Sequence, residues 1–228
     1  RATELGPRVG EAWFALALVH RTEDDLERTA AAVDKAIEVD PGYAIAYEAR
    51  ASIRSGRGDQ KGALADATRA TELAPQRALA WNNLGTVRGG TDDFAGSIEA
   101  CSKAIALDAR CDIAYFNRGR AYAIRGEVDA ALADYDRAVE LNPGFASAWT
   151  NRADLRNRKG EYRGALADAE KALSLTPNSV NAVLCRAIAR EGVGDLVGAR
   201  KDYEAFLART APDDPRAAEL RRHLAELR

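Results

Sequence analysis

The sequence predicts an all-α fold built from repeated pairs of helices, and three features of its 228 residues point to it. Alanine, arginine and leucine are the most frequent residues, a composition that favours helices. Large and small residues recur at helical spacing in two runs separated by a turn. Prolines recur every 34 residues or at twice that interval, at Pro7, Pro41, Pro75, Pro143 and Pro177. A helix pair copied in tandem is typical of a repeat array.

The proline register divides the chain into repeat units of 34 residues. Six units follow one another, at 10–43, 44–77, 78–111, 112–145, 146–179 and 180–213. Residues 1–9 read as the tail of a preceding unit, because Arg1–Pro7 nearly repeats Arg69–Pro75. We therefore expect the parent protein to continue on the N-terminal side.

The first helix of each unit carries a large residue between small ones. The third position is alanine in all six units, and the eighth is always alanine or glycine. The fourth position holds Trp13, Tyr47, Trp81, Tyr115, Trp149 and Val183. A large side chain beside small ones allows neighbouring helices to pack closely.

The turn inside each unit is marked by glycine and then by an acid. Glycine at a left-handed C′ position ends the first helix in four units, at Gly58, Gly126, Gly160 and Gly194. The next residue is acidic in all six units, at Asp25, Asp59, Asp93, Glu127, Glu161 and Asp195. An acid here is expected to cap the second helix, and the proline near the unit boundary ends that helix.

Residues 214–228 are predicted to form a final capping helix. Asp213 and Asp214 precede Pro215, which suits the first turn of a helix. Its apolar stripe consists of Ala217, Leu220, Leu224 and Leu227. One apolar and one polar face would close the last exposed surface of the array.

Arginine and aspartate occur together in four units. The seventh position is Arg50, Arg118, Arg152 and Arg186, and the twenty-third is Asp66, Asp134, Asp168 and Asp202. The other two units have leucine and alanine there. We expect an ion pair between the two helices of one unit, so that Arg118→Ala harms stability more than binding. The alternative is a basic ladder for an anionic ligand.

Several function classes are not indicated. The net charge of −2, with both signs interspersed, disfavours nucleic acid as a partner, and no apolar run approaches the ~18 residues of a membrane span. Three scattered cysteines favour a reducing compartment, the cytoplasm. His20 and His223 lie far apart, and no phosphate-binding loop is present. We expect no enzymatic activity, no cofactor and no metal.

The pattern in Asp112–Pro143 resembles the tetratricopeptide repeat (TPR). Tyr115, Gly119 and Tyr122 in the first run, with Ala131 and Tyr135 in the second, have the spacing of that family. The resemblance extends over the whole chain in six copies. It implies a right-handed α–α superhelix of antiparallel hairpins, in which the first helix of each unit lines a concave groove.

The resemblance also implies a peptide-binding site in that groove. The sixth positions Asn83, Asn117 and Asn151 resemble the asparagine ladder of the TPR domain in the protein O-linked N-acetylglucosamine transferase, and an asparagine amide can bond a peptide backbone at both N–H and C=O. Alternatively, the asparagines bridge neighbouring helices. The lysines of the chaperone-binding clamp are missing, so a chaperone tail is not expected. The expected site is Asn82, Asn83, Thr86, Phe116, Asn117, Arg120, Thr150, Asn151, Asp154 and Arg158.

The sequence thus predicts a non-catalytic protein-interaction scaffold that binds an extended peptide segment. One alternative is a regulatory or substrate-recruiting arm of a multidomain enzyme with its catalytic domain upstream. Bacterial serine/threonine kinases with TPR tails are an example, and the composition rich in alanine, arginine and glycine suits a GC-rich bacterial genome. The other alternative is a scaffold that associates with itself end to end.

Overall fold

The computed structural model describes residues 10–22, 25–211 and 214–227, and all regular secondary structure in these ranges is α-helical. The helices are α1 (Gly10–Thr22), α2 (Leu26–Val39), α3 (Ala44–Gly56), α4 (Gln60–Leu73), α5 (Ala78–Gly89), α6 (Phe94–Leu107), α7 (Asp112–Ile124), α8 (Val128–Leu141), α9 (Ala146–Arg158), α10 (Tyr162–Leu175), α11 (Val180–Gly192), α12 (Leu196–Arg209) and α13 (Pro215–Glu226). The predicted all-α fold class is confirmed.

The chain divides into two compact units, Arg1–Arg125 and Gly126–Arg228. In the first, α1 packs on α2, α3 on α4 and α5 on α6, while α7 packs on α6. In the second, α9 packs on α10 and α11 on α12, with α8 against α9 and α13 against α12. The short turns make the packed pairs antiparallel hairpins. The predicted division into residues 1–9, 10–213 and 214–228 stays a prediction.

The hairpin turns use left-handed backbone where the sequence predicts it. Gly58, Gly126, Gly160 and Gly194 have φ values of 82°, 78°, 76° and 89°. In the third repeat the equivalent residue is Asp92, which has φ 61° and is the one non-glycine residue with positive φ in the described part of the chain. Aspartate tolerates this conformation better than most residues, because its short polar side chain can hydrogen-bond locally.

The acidic residues that follow these turns differ in whether they cap the second helix. The carboxylates of Asp25, Asp59, Asp93 and Asp195 each accept a hydrogen bond from the backbone N–H three residues on, and so cap the second helix. Glu127 and Glu161 occupy the same position but make no side-chain cap bond. The Glu161 carboxylate instead lies 3.2 Å from Lys159 Nζ. The predicted caps are therefore formed by aspartate and not by glutamate.

The large fourth-position residue also contacts the repeat boundary. The indole N–H groups of Trp81 and Trp149 donate to the carbonyl oxygens of Pro75 and Pro143, at 2.9 and 3.0 Å. The alanine preceding each tryptophan, such as Ala80, is fully buried. The first helices of the third and fifth repeats are thus joined to the proline that follows the preceding helix.

The final helix α13 begins as predicted. Asp214 accepts a hydrogen bond from the backbone N–H of Arg216 at 2.8 Å, while Asp213 lies outside the described residues. Ala217 and Leu220 are buried, and Leu220 packs in a cluster with residues of α11 and α12. Leu224 and Leu227 pack on the same cluster, so the predicted apolar stripe is confirmed.

Candidate functional site

Three of the four arginines that raised the possibility of an anion-binding ladder form ion pairs with aspartates. Arg50 pairs with Asp66 at 2.8 Å, measured from Nη2 to Oδ1. The same atoms join Arg152 to Asp168 at 2.6 Å and Arg186 to Asp202 at 2.7 Å. Three of the four predicted ion pairs within a repeat are thus confirmed. The pairing of Arg118 with Asp134 stays a prediction.

Each of these three aspartates also binds a second arginine, which the sequence analysis missed. Arg54, Arg156 and Arg190, at the eleventh position, donate through Nη1 to Asp66, Asp168 and Asp202 at 2.8, 2.7 and 2.8 Å. Each carboxylate is at most 5 % exposed and holds two guanidinium groups. This geometry favours the structural interpretation of the arginine row.

The seventh-position arginines also reach the preceding repeat. Arg50 Nη1 lies 3.1 Å from Asp34 Oδ1, and Arg152 Nη1 lies 2.6 Å from Asp136 Oδ1. Asp34 and Asp136 are both at the twenty-fifth position of the repeat before. Arg50 and Arg152 therefore each join the two helices of their own hairpin and also bind the neighbouring hairpin.

Asn83, the first residue of the asparagine row, bridges two helices. Its Nδ2 donates to the backbone oxygen of Glu48 at 3.3 Å and to the hydroxyl of Ser52 at 3.1 Å, both on α3. Its Oδ1 is buried and has no hydrogen-bond partner. Asn83 therefore links two successive repeats, as the alternative interpretation of the row expects.

Asn117, the second residue of the row, is held by the preceding repeat. Its Nδ2 donates to Asn82 Oδ1 and to Thr86 Oγ1, both at 3.0 Å. Asn82 and Asn117 are both buried. These two bonds use both N–H groups of the amide, whereas no described residue donates to Asn117 Oδ1. That oxygen is therefore fixed in orientation and open to a further donor.

A small cleft beside Asn117 brings several predicted residues together within the first unit. Its volume is about 20 Å³. The guanidinium of Arg120 lies 5.9 Å from the ring centre of Phe116, and no described carboxylate forms a salt bridge with it. The cleft is lined by Gly85, Thr86, Gly89, Phe94, Ser97, Asn117, Arg120, Ala121 and Ile124. Of the predicted site, Thr86, Asn117 and Arg120 share this surface.

The predicted residues of the second unit lie on α9 and form hydrogen bonds or ion pairs within that unit. Asn151 Nδ2 donates to the hydroxyl of Tyr135 at 3.4 Å, and Thr150 Oγ1 donates to the carbonyl of Ala146 at 3.0 Å. Arg158 and Asp154 form an exposed ion pair of 2.7 Å one helical turn apart. This face of α9 presents both signs of charge in a compensated form.

The described residues offer little for covalent or metal chemistry. They contain no group of three or more His, Cys, Asp or Glu side chains that could hold a metal ion. Burial raises the pKa of the Cys185 thiol to about 12 and raises that of Cys111. None of the described helices is long and apolar enough to cross a membrane.

Comparison with protein families identifies the repeat. Models of the tetratricopeptide repeat match residues 10–43, 113–145 and 134–167. Two of these matches begin within one residue of a predicted repeat boundary. A comparison with curated proteins finds no match.

Solved structures share the fold over most of the chain. One chain from the crystal structure of the Cut9–Hcn1 hetero-tetramer of APC/C superposes with a TM-score of 0.86 at 17% identity, over 97% of this chain and 44% of that chain. This chain therefore spans less than half of that relative. PilF of Pseudomonas aeruginosa gives 0.83 at 19% identity, over 94% and 97% of the two chains. YrrB gives 0.57 at 25% identity, over 80% and 94%.

Proposed function

The chain is a tetratricopeptide-repeat protein, and from that premise we propose that it is a non-catalytic scaffold that binds an extended segment of another protein. The segment would lie on the first-helix face of the third and fourth repeats, beside Asn117. YrrB, which resembles this chain in fold, is described as a TPR protein with an unusual peptide-binding site. Cut9 is described within a hetero-tetramer.

The observation that carries the proposal is the shared cleft of Thr86, Asn117 and Arg120. In the proposed complex, Asn117 Oδ1 accepts a hydrogen bond from a backbone N–H of the bound segment. The amide cannot also donate to the segment, because both of its own N–H groups are already used. Arg120 supplies donors for a carbonyl or carboxylate oxygen. The cleft of about 20 Å³ is large enough for one methyl group or one water molecule. The site thus suits a backbone with a small side chain.

Phe116 extends the same surface. Its ring lies beneath the guanidinium of Arg120, so that an apolar surface lies next to a cation. Such a mixture of one aromatic ring, one charge and several amides is typical of peptide recognition. We include Asn82 in the site because it fixes the orientation of Asn117, and Asn83 because it joins the same helix to the repeat before.

Thr150, Asn151, Asp154 and Arg158 are proposed as a separate contact surface on α9. A bound segment would have to compete with the ion pair of Asp154 and Arg158. Because that pair is exposed, its opening costs only about 0–1 kcal/mol. This surface therefore suits a partner that carries both a basic group to pair with Asp154 and an acidic group to pair with Arg158.

The experiment is affinity capture with the full chain, followed by mapping of the retained segment and titration of the purified segment. The double variant Phe116→Ala/Arg120→Ala is expected to weaken binding at least tenfold at an unchanged melting temperature. Arg28→Ala, an exposed arginine on the second-helix side, is the matched control. A segment bound equally by all three proteins would contradict the proposal.

A further inference from the structure

A second cavity lies at the C-terminal end of the second unit, between α11, α12 and α13. Its volume is about 230 Å³. Leu184 and Ile188 reach it from α11, at the fifth and ninth positions of the sixth repeat. The equivalent residues are polar in the third repeat, Asn82 and Thr86. The remaining lining residues are Tyr203, Phe206, Arg216, Glu219, Leu220 and His223.

The polar groups in the cavity wall are largely satisfied within the protein. The hydroxyl of Tyr203 donates to Glu191 Oε2 at 2.7 Å, and His223 Nε2 donates to the same oxygen at 2.8 Å. Arg216 pairs with Asp214 at 2.8 Å, and its guanidinium lies 5.1 Å from the ring centre of Phe206. An apolar group can therefore enter without leaving these polar atoms unpaired, which removes the main cost of filling such a space.

Size and shape indicate what fits. The volume is below the roughly 300–1,000 Å³ of small-molecule pockets and suits a single large side chain. The rings of Tyr203, Phe206 and His223 form part of the wall. Aromatic pairs in edge-to-face or offset geometry contribute roughly 0.5–1.5 kcal/mol beyond the buried area. An aromatic side chain is therefore favoured over an aliphatic one.

Charge indicates what lies next to that side chain. Glu219 lines the cavity from α13, and no described cation forms a salt bridge with it. Glu191 adds a second carboxylate, whose Oε2 accepts hydrogen bonds from Tyr203 and His223. The positive charge of Arg216 is offset by Asp214. The rim therefore has a net negative charge and favours a cation.

We propose that this cavity binds an aromatic side chain from a segment of a partner protein, with a lysine or arginine adjacent to the aromatic residue. The site is separate from the cleft at Asn117 and does not depend on it. Its composition sets a different specificity, because the cleft at Asn117 suits a small side chain and this cavity a large one. The two sites can therefore be tested with different probes.

The test uses the peptide acetyl-Gly-Ser-Phe-Lys-Ser-Gly-amide, titrated into the full chain and followed by methyl NMR. We expect saturable shifts of the Leu184 and Ile188 methyl signals. A peptide with alanine in place of phenylalanine should bind at least tenfold more weakly, and one with glutamate in place of lysine at least threefold more weakly. Raised salt should reduce the difference in affinity between the lysine and glutamate peptides.

Protein variants assign the site. Ile188→Thr introduces the residue that the third repeat carries at this position, so the fold is expected to tolerate it, and it should weaken binding at least fivefold. Glu219→Gln should abolish the preference for lysine over glutamate. Val197→Thr changes an apolar residue of α12 that is 84% exposed and serves as the control.

Three results would overturn the proposal. The first is the absence of methyl shifts at millimolar peptide with the melting temperature unchanged. The second is equal affinity for the Ile188→Thr and Val197→Thr variants. The third is concentration-dependent self-association, seen by light scattering and lost in Leu184→Asn, which would identify a second copy of the chain as the occupant.

Discussion

Arg152 on α9 and Asp168 on α10 form a bidentate ion pair, with Nε–Oδ2 and Nη2–Oδ1 distances of 2.8 and 2.6 Å. Their side chains are 10% and 3% exposed, and the guanidinium lies 4.6 Å from the ring centre of Trp149. A buried charge pair costs desolvation on both sides, so its loss is severe only when one partner remains. Replacing one partner or both therefore tests whether this ion pair stabilises the fold.

Truncation of the arginine alone should destabilise the chain strongly. Arg152→Ala leaves the carboxylate of Asp168 buried with only Arg156 to compensate it, and we expect the free energy of unfolding to fall by about 3–5 kcal/mol. Urea denaturation followed by circular dichroism measures this loss. A decrease below about 1 kcal/mol would contradict the structural role.

The matched control replaces both partners. Arg152→Leu/Asp168→Ala copies the pair that the third repeat carries naturally, Leu84 and Ala100, which are both buried. Because no buried carboxylate is left unpaired, we expect stability within about 1 kcal/mol of the native chain. A double variant as unstable as Arg152→Ala would show that the arginine acts through contacts other than Asp168.

The turn of the third repeat is expected to be under backbone strain. Asp92 has φ 61°, whereas four other repeats place glycine there. Asp92→Gly should raise the free energy of unfolding by about 0.5–1 kcal/mol, because glycine adopts this conformation without steric cost. Gly58→Ala should have the opposite effect, since an added Cβ meets no neighbour within 4 Å and only the backbone conformation opposes it. Thermal denaturation of both variants decides the sign.

The uncapped helix α10 can gain a cap. Glu161 makes no side-chain cap bond, whereas Asp195 accepts from the N–H of Gly198 at 2.9 Å. Gly164 occupies the place of Gly198 in the fifth repeat, so Glu161→Asp should reproduce this geometry. We expect a gain of about 0.5–1 kcal/mol and, for Asp195→Ala, a loss of about 1 kcal/mol. Asp195→Asn, which retains the acceptor, should change little in the same urea experiment.

The thiol of Cys185 should resist alkylation in the folded chain. Burial raises its pKa to about 12, so the reactive thiolate is scarce near pH 8. We therefore expect iodoacetamide to react with Cys185 at least a hundredfold more slowly in buffer than in concentrated urea. Peptide mass spectrometry gives the rate at each cysteine. Fast labelling of Cys185 without denaturant would show that α11 is not packed as described.

The sequence predicted what depends on local geometry or on pairs of positions that change together. Gly58 and the capping Asp59 follow from turn chemistry, and Arg152 with Asp168 follows from their joint replacement by leucine and alanine elsewhere. The second arginine, at the eleventh position, was not predicted because it does not change together with the aspartate at the twenty-third position. The third repeat has Arg88 at the eleventh position but no aspartate at the twenty-third, and the fourth has Tyr122 at the eleventh position together with an aspartate at the twenty-third.

The asparagine row shows why the site was harder to predict than the fold. Position alone assigned Asn83 and Asn117 to a groove, but position does not say which amide atoms are already used. Asn83 donates to a backbone oxygen of Glu48. A backbone acceptor is present whatever the side chain, so no residue pattern indicates it. The cavity beside Ile188 was missed for a related reason, because it depends on how α13 seats against two other helices.

The central claim is that the first-helix face at Phe116 and Arg120 recognises a partner, while the buried Arg–Asp clusters hold the fold. The most direct measurement is the dissociation constant of the captured segment for two double variants, Phe116→Ala/Arg120→Ala and Arg152→Leu/Asp168→Ala. We expect the first to weaken binding at least tenfold and the second to leave it within twofold. Binding that is lost only in the second variant, with both proteins folded, would contradict the claim.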